Sequence, residues 1–220
     1  MGDYISVLTD NLDEFLAGFW VTVRLVVFAF AIAMVVGTLV AALRIAPSKL
    51  LQRLGGVYVE TFRNIPLLVL LVIAFAGLRR AGADLGPWEA GIVSLGLYTA
   101  AYVGEVLRSG VFSVSKGQIE AALSLGYTYR QSLRRVVFPQ AFRTVISPLG
   151  SLIIAMIKNS AIIGVSLLAL NDLLKTARTV GSRGFDYTES FLWAAVGYLL
   201  LTGLATVTIR VLEKRYAIHR

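Results

Sequence analysis

The chain has 220 residues, 57% of them hydrophobic and only 15% charged, with a mean hydropathy of +0.75. Soluble domains carry roughly 25% charged residues, so an integral membrane protein is expected and a water-soluble globular domain is not. The net charge of +8 sits mostly at the ends of apolar runs, as in membrane-protein loops, so no nucleic-acid partner is expected; with no Cys and His219 as the one histidine, neither thiolate nor His-based metal chemistry is expected.

Met1 to Leu16 carries Asp3, Asp10, Asp13 and Glu14 without a Lys or Arg, unlike the basic opening of a signal peptide. Leu25 to Leu43 is uncharged over 19 residues and extends back to Phe19, which predicts a first span over about 19–43. At 1.5 Å per residue such a run covers about 30 Å, a hydrocarbon core. A second span is predicted over about 56–78, with Pro66 inside it, and a third over 87–109, containing Glu105 and Arg108. The fourth, 142–165, crosses Pro148 and Gly150 and reaches Lys158, Asn159 and Ser160. Ala161 to Leu170 is too short to cross alone and reads as a bent or re-entrant continuation, and Asn171 to Glu189 reads as a polar loop with Gly164, Gly181 and Gly184 serving turns. The fifth span is 190–210. Trp20, Trp88, Trp193, Tyr98 and Tyr198 read mainly as interface anchors.

Between the third and fourth spans lies the longest and most basic connection, 116–139. Its first half is a short amphipathic helix with Ile119, Ala122, Leu123 and Gly126 on one face. Lys and Arg number twelve on the side that holds this loop and five on the other. The basic side is expected to be cytoplasmic, so the N-terminus is predicted outside and the C-terminus inside.

Charges within spans are costly and usually face a bundle interior or an aqueous path. Glu105 and Arg108 are three residues apart on one helical face, below Tyr98 and Tyr102. They read either as a structural or gate salt bridge or as direct substrate contacts. Arg63 and Asn64 precede Pro66, which removes a backbone donor and predicts a kink that frees carbonyls toward a cavity; a snorkelling Arg63 is the plainer reading. Lys158, Asn159 and Ser160 either line a pathway or pack between helices.

Glu120-Ala121-Ala122 with Gly126 and Pro139 resembles the EAA loop of binding-protein-dependent ABC importer permeases. ETFRNIPLLVLL (60–71), YTAAYVGEVLRSG (98–110), FPQAFR (138–143) and KNSAII (158–163) follow in the order of the polar amino-acid permease family, which spans the histidine, glutamine and glutamate permeases. FWVTVRL, ALRIAPSKLL and RNIPLL look most like glutamate-type members, although RNIPLL stands where RGTPLL is commoner and KNSAII where KDTSLL is. The resemblance implies an all-α membrane protein, a type I ABC importer transmembrane domain over 15–212 with five spans. It implies a bacterial cell-membrane permease that imports polar amino acids, glutamate or a related acidic or amide amino acid, and is not itself an enzyme.

The implied partners are a second permease subunit, two ATP-binding cassette ATPases, an extracytoplasmic amino-acid-binding protein and the lipid bilayer. No cofactor is implied for this chain: ATP and Mg would bind the ATPases, in keeping with the lack of a GxxxxGK[ST] loop here. Glu120, Ala121, Ala122, Leu123 and Gly126 are the implied coupling residues, with Ala121, Ala122 and Gly126 small enough for close approach. Arg63 and Lys158, if both face the path, would suit an acidic substrate. A self-contained secondary transporter is the alternative reading, but no convincing inverted repeat supports it. An intramembrane enzyme lacks both a metal motif and a buried base.

Overall fold

The computed structural model describes residues 2–83, 85–166, 170–184 and 186–216. His219 and residues 167–169 of the expected re-entrant piece lie outside them. Every regular element described is helical. A short helix, α1 (Gly2–Asp10), leads into the 34-residue α2 (Leu12–Ile45), and α3 (Lys49–Asn64) follows. Next come α4 (Leu67–Val72), a π-helical turn over Ile73–Gly77 and one further turn, α5 (Leu78–Arg80). The chain continues through α6 (Pro87–Phe112), α7 (Lys116–Ser124), α8 (Tyr129–Ser132), a second π-helical turn over Leu133–Val137, α9 (Phe138–Val165), α10 (Leu173–Gly184) and α11 (Tyr187–Tyr216).

Among the described residues, four helices are long and apolar enough to cross a membrane: Leu12–Ile45, Pro87–Phe112, Tyr129–Gly164 and Tyr187–Tyr216. A fifth crossing exists only if α3 and the helix after Pro66 are taken together, and these meet at 103°. The straight 56–78 span expected from hydropathy is therefore a sharply broken one. Ile65 (φ −90°, ψ 130°) and Pro66 (φ −59°, ψ 138°) are extended, because proline excludes its predecessor from helical geometry and donates no backbone hydrogen bond.

The centre of the molecule is the α2–α6 pair. Ala29, Ala33, Leu95, Ala100, Ala101 and Val103 are fully buried there. Small residues let the two backbones approach: a Cβ at Gly37 would lie 2.6 Å from Val103, and one at Gly96 would lie 2.9 Å from Ile32. Membrane helices associate through such close packing because lipid supplies no hydrophobic drive between them. Tyr58 ties α3 to α6 by donating to the Leu97 carbonyl at 2.8 Å.

The segment read as a polar loop contains α10, an amphipathic helix. Its Leu173, Thr176, Ala177, Val180 and Gly181 are buried, against α11, α2 and α9. At the same end, α1 lies over α11: the Trp193 indole donates to the Tyr4 carbonyl at 2.7 Å, and Arg183 pairs with Glu14 at 2.6 Å. The opposite end carries α7, the start of α8 and the last turns of α2, α6 and α11.

Candidate functional site

At the α7 end, the chain builds a short helix closed at its C-terminus, while Ser115 before it makes no side-chain cap hydrogen bond. Gly126 adopts φ +83°, a conformation natural to glycine. Its N–H donates to the Leu123 carbonyl at 2.9 Å and the Tyr127 N–H to the Ala122 carbonyl at 3.1 Å, a Schellman closure of α7. Two residues later Thr128 and Gln131 form a reciprocal capping box that starts α8. The side-chain amide of Gln140 on α9 reaches back to Gln118 at 3.4 Å.

Ala122 is buried against its own chain, at 4% exposure, where α7 meets α8 and the second π-helical turn. The expectation that Ala122 leaves room for a partner is corrected accordingly: its smallness serves the seat of α7. Gly126 is exposed, and space beside it is empty; its backbone conformation accounts for the glycine. The open surface consists of Glu120, Ala121, Leu123 and Leu125, with Tyr129 beyond the cap. Leu125, 80% exposed, was not singled out by the sequence motif.

The charges of the spans fall into two groups. Glu105 accepts from Arg108 at 2.6 Å and, through its other oxygen, from Arg44 of α2 at 2.6 Å. The carboxylate thus clamps the end of α2 to α6. One and two turns earlier, Tyr102 and Tyr98 share a hydrogen bond of 3.1 Å. Arg63 lies over the Tyr102 ring, 5.2 Å from its centroid. Asn64 turns back on its own helix, its amide donating to the Glu60 carbonyl at 2.6 Å. Together with Pro66 they place a cation, two phenols and a broken helix in one neighbourhood.

Lys158, Asn159 and Ser160 do not act as a unit. Ser160 is buried and donates to the Ile157 carbonyl at 2.7 Å. Asn159 is half-buried, and Lys158 is exposed on a hollow of about 310 Å³ that it shares with Tyr198 and Phe191. Arg63 does not line that hollow.

Behind it lies a polar knot that hydropathy missed. Asp172, fully buried, begins α10 by accepting from the Lys175 N–H at 2.9 Å, and it accepts from the Tyr198 hydroxyl at 3.3 Å. The Leu173 N–H donates to Thr22 of α2 at 3.1 Å. Gly164 is required in α9 because any side chain there would overlap the Asp172 carboxylate. Tyr198 is therefore an internal partner and not an interface anchor, and Gly164 and Gly181 serve packing inside helices. Burial pushes the Asp172 carboxyl up to about 6, the Lys175 backbone N–H and the Tyr198 hydroxyl opposing that shift. The one available signal was an Asp immediately before a period-3.6 stretch of Leu173, Ala177 and Val180, the pattern of a helix cap.

This arrangement of helices is that of the type I ABC importer permeases. The crystal structure of an amino acid ABC transporter with histidines superposes with a TM-score of 0.88, at 31% identity over 94% of this chain and 96% of that one. The inward-facing MetNI methionine ABC transporter shares the fold, with a TM-score of 0.77 at 24% identity, over 95% of this chain and 99% of that one. Residues 16–218 match the family described as the binding-protein-dependent transport system inner membrane component, and the chain belongs to it.

The chain is 42% identical to the probable glutamine ABC transporter permease protein GlnM of Bacillus subtilis (strain 168), over 96% of this chain and 97% of that protein. It is 38% identical to the glutamate transport system permease protein GluC of Corynebacterium efficiens, over 90% and 91% respectively. The protein is thus an integral membrane permease subunit of an ABC amino-acid importer, and not itself an enzyme. Its family works with ATPase and binding-protein partners.

Proposed function

We propose that the chain is the membrane pathway of an ATP-driven importer of glutamate or a related acidic or amide amino acid, moved by a separate ATPase that grips α7. The observation that carries the coupling half is α7 itself, closed at its C-terminus by the Gly126 turn and presenting Glu120, Ala121, Leu123 and Leu125 outward. That closure ties the end of α7 to the turn that leads into α8. Any motion of α7 passes through α8 and the second π-helical turn into α9, and so reaches Lys158.

The substrate half rests on charge. Arg63 and Lys158 form no salt bridge among the described residues, whereas Arg44 and Arg108 share the one carboxylate of Glu105. Two cations outside any salt bridge and facing a pathway suit an acidic or amide side chain and a substrate carboxylate, and repel a cationic one. The names carried by the similar permeases, glutamine in GlnM and glutamate in GluC, support the same class.

One bundle of this size does not enclose a path. The complex therefore contains a second permease subunit, identical or related, two ATP-binding cassette subunits that hold ATP and Mg, and an extracytoplasmic binding protein; this chain holds no cofactor. In a bacterial cell membrane the basic α7 end faces the cytoplasm and α1 and α10 face outward. Closing the ATPases draws the two α7 helices together and opens the cavity outward. A self-contained secondary transporter is not favoured.

The test is ATPase stimulation in the reconstituted complex with its binding protein. Glutamate or glutamine is expected to stimulate and arginine or lysine is not. Preference for a cationic amino acid would overturn the substrate assignment while leaving the coupling intact.

A further inference from the structure

Between the last turn of α2, the first half of α3 and the last turns of α6 lies a pocket of about 670 Å³. Arg44 of α2, Lys49 and Arg53 of α3 and Arg108 of α6 all line it, so three helices bring four cations to one hollow. Glu60 of α3 lines it as well. Lys49, Arg53 and Glu60 are exposed and form no salt bridge among the described residues. Counted with Glu105, which pairs with Arg44 and Arg108, two carboxylates stand against four cations. The pocket therefore keeps a surplus of positive charge at neutral pH.

Two of the four cations are fixed in advance. Glu105 holds each guanidinium at 2.6 Å. The stem of Arg44 packs against Gly55, where a Cβ would lie 2.7 Å from its Cγ, and Arg108 lies over the Phe112 ring, 5.4 Å from its centroid. Both arginines thus meet a ligand without the ordering cost that a mobile side chain would add. Glu105 takes Nη1 of Arg44 and Nε and Nη2 of Arg108, and the remaining donors include Nη2 of Arg44 and Nη1 of Arg108.

Gly56 is an independent sign of an occupant. It sits inside α3, where glycine weakens a helix, yet no neighbour lies within 4 Å of its Cβ position. Packing requires glycine at Gly55 and does not require it at Gly56. Gly56 lines the pocket, and the missing side chain keeps that volume open.

We propose that this pocket binds a phosphomonoester, carried by a lipid or by a small soluble molecule, between Arg44, Lys49, Arg53 and Arg108. Such a group carries about −1.5 to −2 charges at neutral pH and offers three acceptor oxygens, which suits cations converging from three helices. A carboxylate is planar and is satisfied by guanidiniums at its edge, as Glu105 already is. Basic pockets between membrane helices hold anionic headgroups on the same physical grounds.

The full-length chain in detergent tests the pocket with two probes that share one headgroup. Dioleoylphosphatidic acid is read by native mass spectrometry, and glycerol 3-phosphate by titration calorimetry. A lipid source predicts retention of phosphatidic acid over dioleoylphosphatidylcholine with no heat from glycerol 3-phosphate; a soluble source predicts that glycerol 3-phosphate binds without acyl chains. The double variant Lys49→Gln, Arg53→Gln, at exposed positions, should weaken binding about thirtyfold, on the scale of two basic residues near an anionic surface. Gly56→Leu, whose side chain enters open space, should abolish it, whereas Arg130→Gln, outside the pocket, should leave it unchanged. Failure of both probes to bind the native chain would overturn the site. So would a double variant or a Gly56→Leu chain that binds as tightly as the native one. Glutamate displacing the bound probe at lower concentration than inorganic phosphate does would give the pocket to a carboxylate ligand and overturn the proposal as well.

Discussion

Glu105 holds two guanidiniums at once, and its side chain is 28% exposed. Neutralising it leaves Arg44 and Arg108 facing each other in a partly desolvated site. Glu105→Gln is expected to cost about 1–2 kcal/mol, between the values typical of exposed and buried pairs. Thermal unfolding in detergent checks this as a drop of several degrees in Tm; an unchanged Tm would remove the clamp from the account. The i,i+3 spacing made the Glu105–Arg108 pair legible in the sequence. Arg44 was not legible, because 61 residues separate it from Glu105 and only the α2–α6 packing joins them.

Asp172 titrates with the opposite consequence. Its folded value, about 6, lies above its ordinary 3.8. The stability linked to its neutral form is therefore complete below about 4 and lost as pH rises through about 6. Asp172→Asn removes this dependence. The Tm difference between variant and native chain should shift in the variant's favour between pH 4 and pH 7; a pH-independent difference would contradict a carboxyl held in that burial.

Among the elements, helix packing is where small residues decide most. Gly96 faces Ile32 and the Ala29 carbonyl across the central pair. Gly96→Leu should force α2 and α6 apart and prevent isolation of a monodisperse chain, whereas Gly117→Leu, with no neighbour within 4 Å of its Cβ position, should be tolerated. Size-exclusion profiles of the two distinguish these outcomes.

The long apolar helices were legible from hydropathy because only a run of that length satisfies its backbone inside a bilayer. The break at Pro66 was legible as a kink, but its 103° angle was not. For α10 the signal was present and misread: Lys175, Arg178 and Arg183 made the stretch look like a loop, while Leu173, Ala177 and Val180 recur at helical spacing. The stripe read on α7 from Ile119, Ala122, Leu123 and Gly126 divides: Ala122 is buried, whereas Leu123 and Gly126 are exposed. Whether such a stripe meets the same chain or another is not written in its period, and Ala122 turned inward.

At the scale of the molecule, the account is of a bundle with two ends of different character. One is locked by Asp172, Thr22 and Tyr198 and covered by α1. The other ends in basic residues and an outward-facing helix. On the function proposed above, work from the ATPase enters through this helix, and Leu125 at its end is 80% exposed. The natural chain has no cysteine, so Leu125→Cys supplies a unique attachment point for a benzophenone cross-linker in membranes containing the whole complex. The account predicts a cross-link from position 125 to the ATPase subunit, and labelling of that cysteine from the cytoplasmic side only. Labelling from the outside, or cross-links that never include the ATPase, would contradict it.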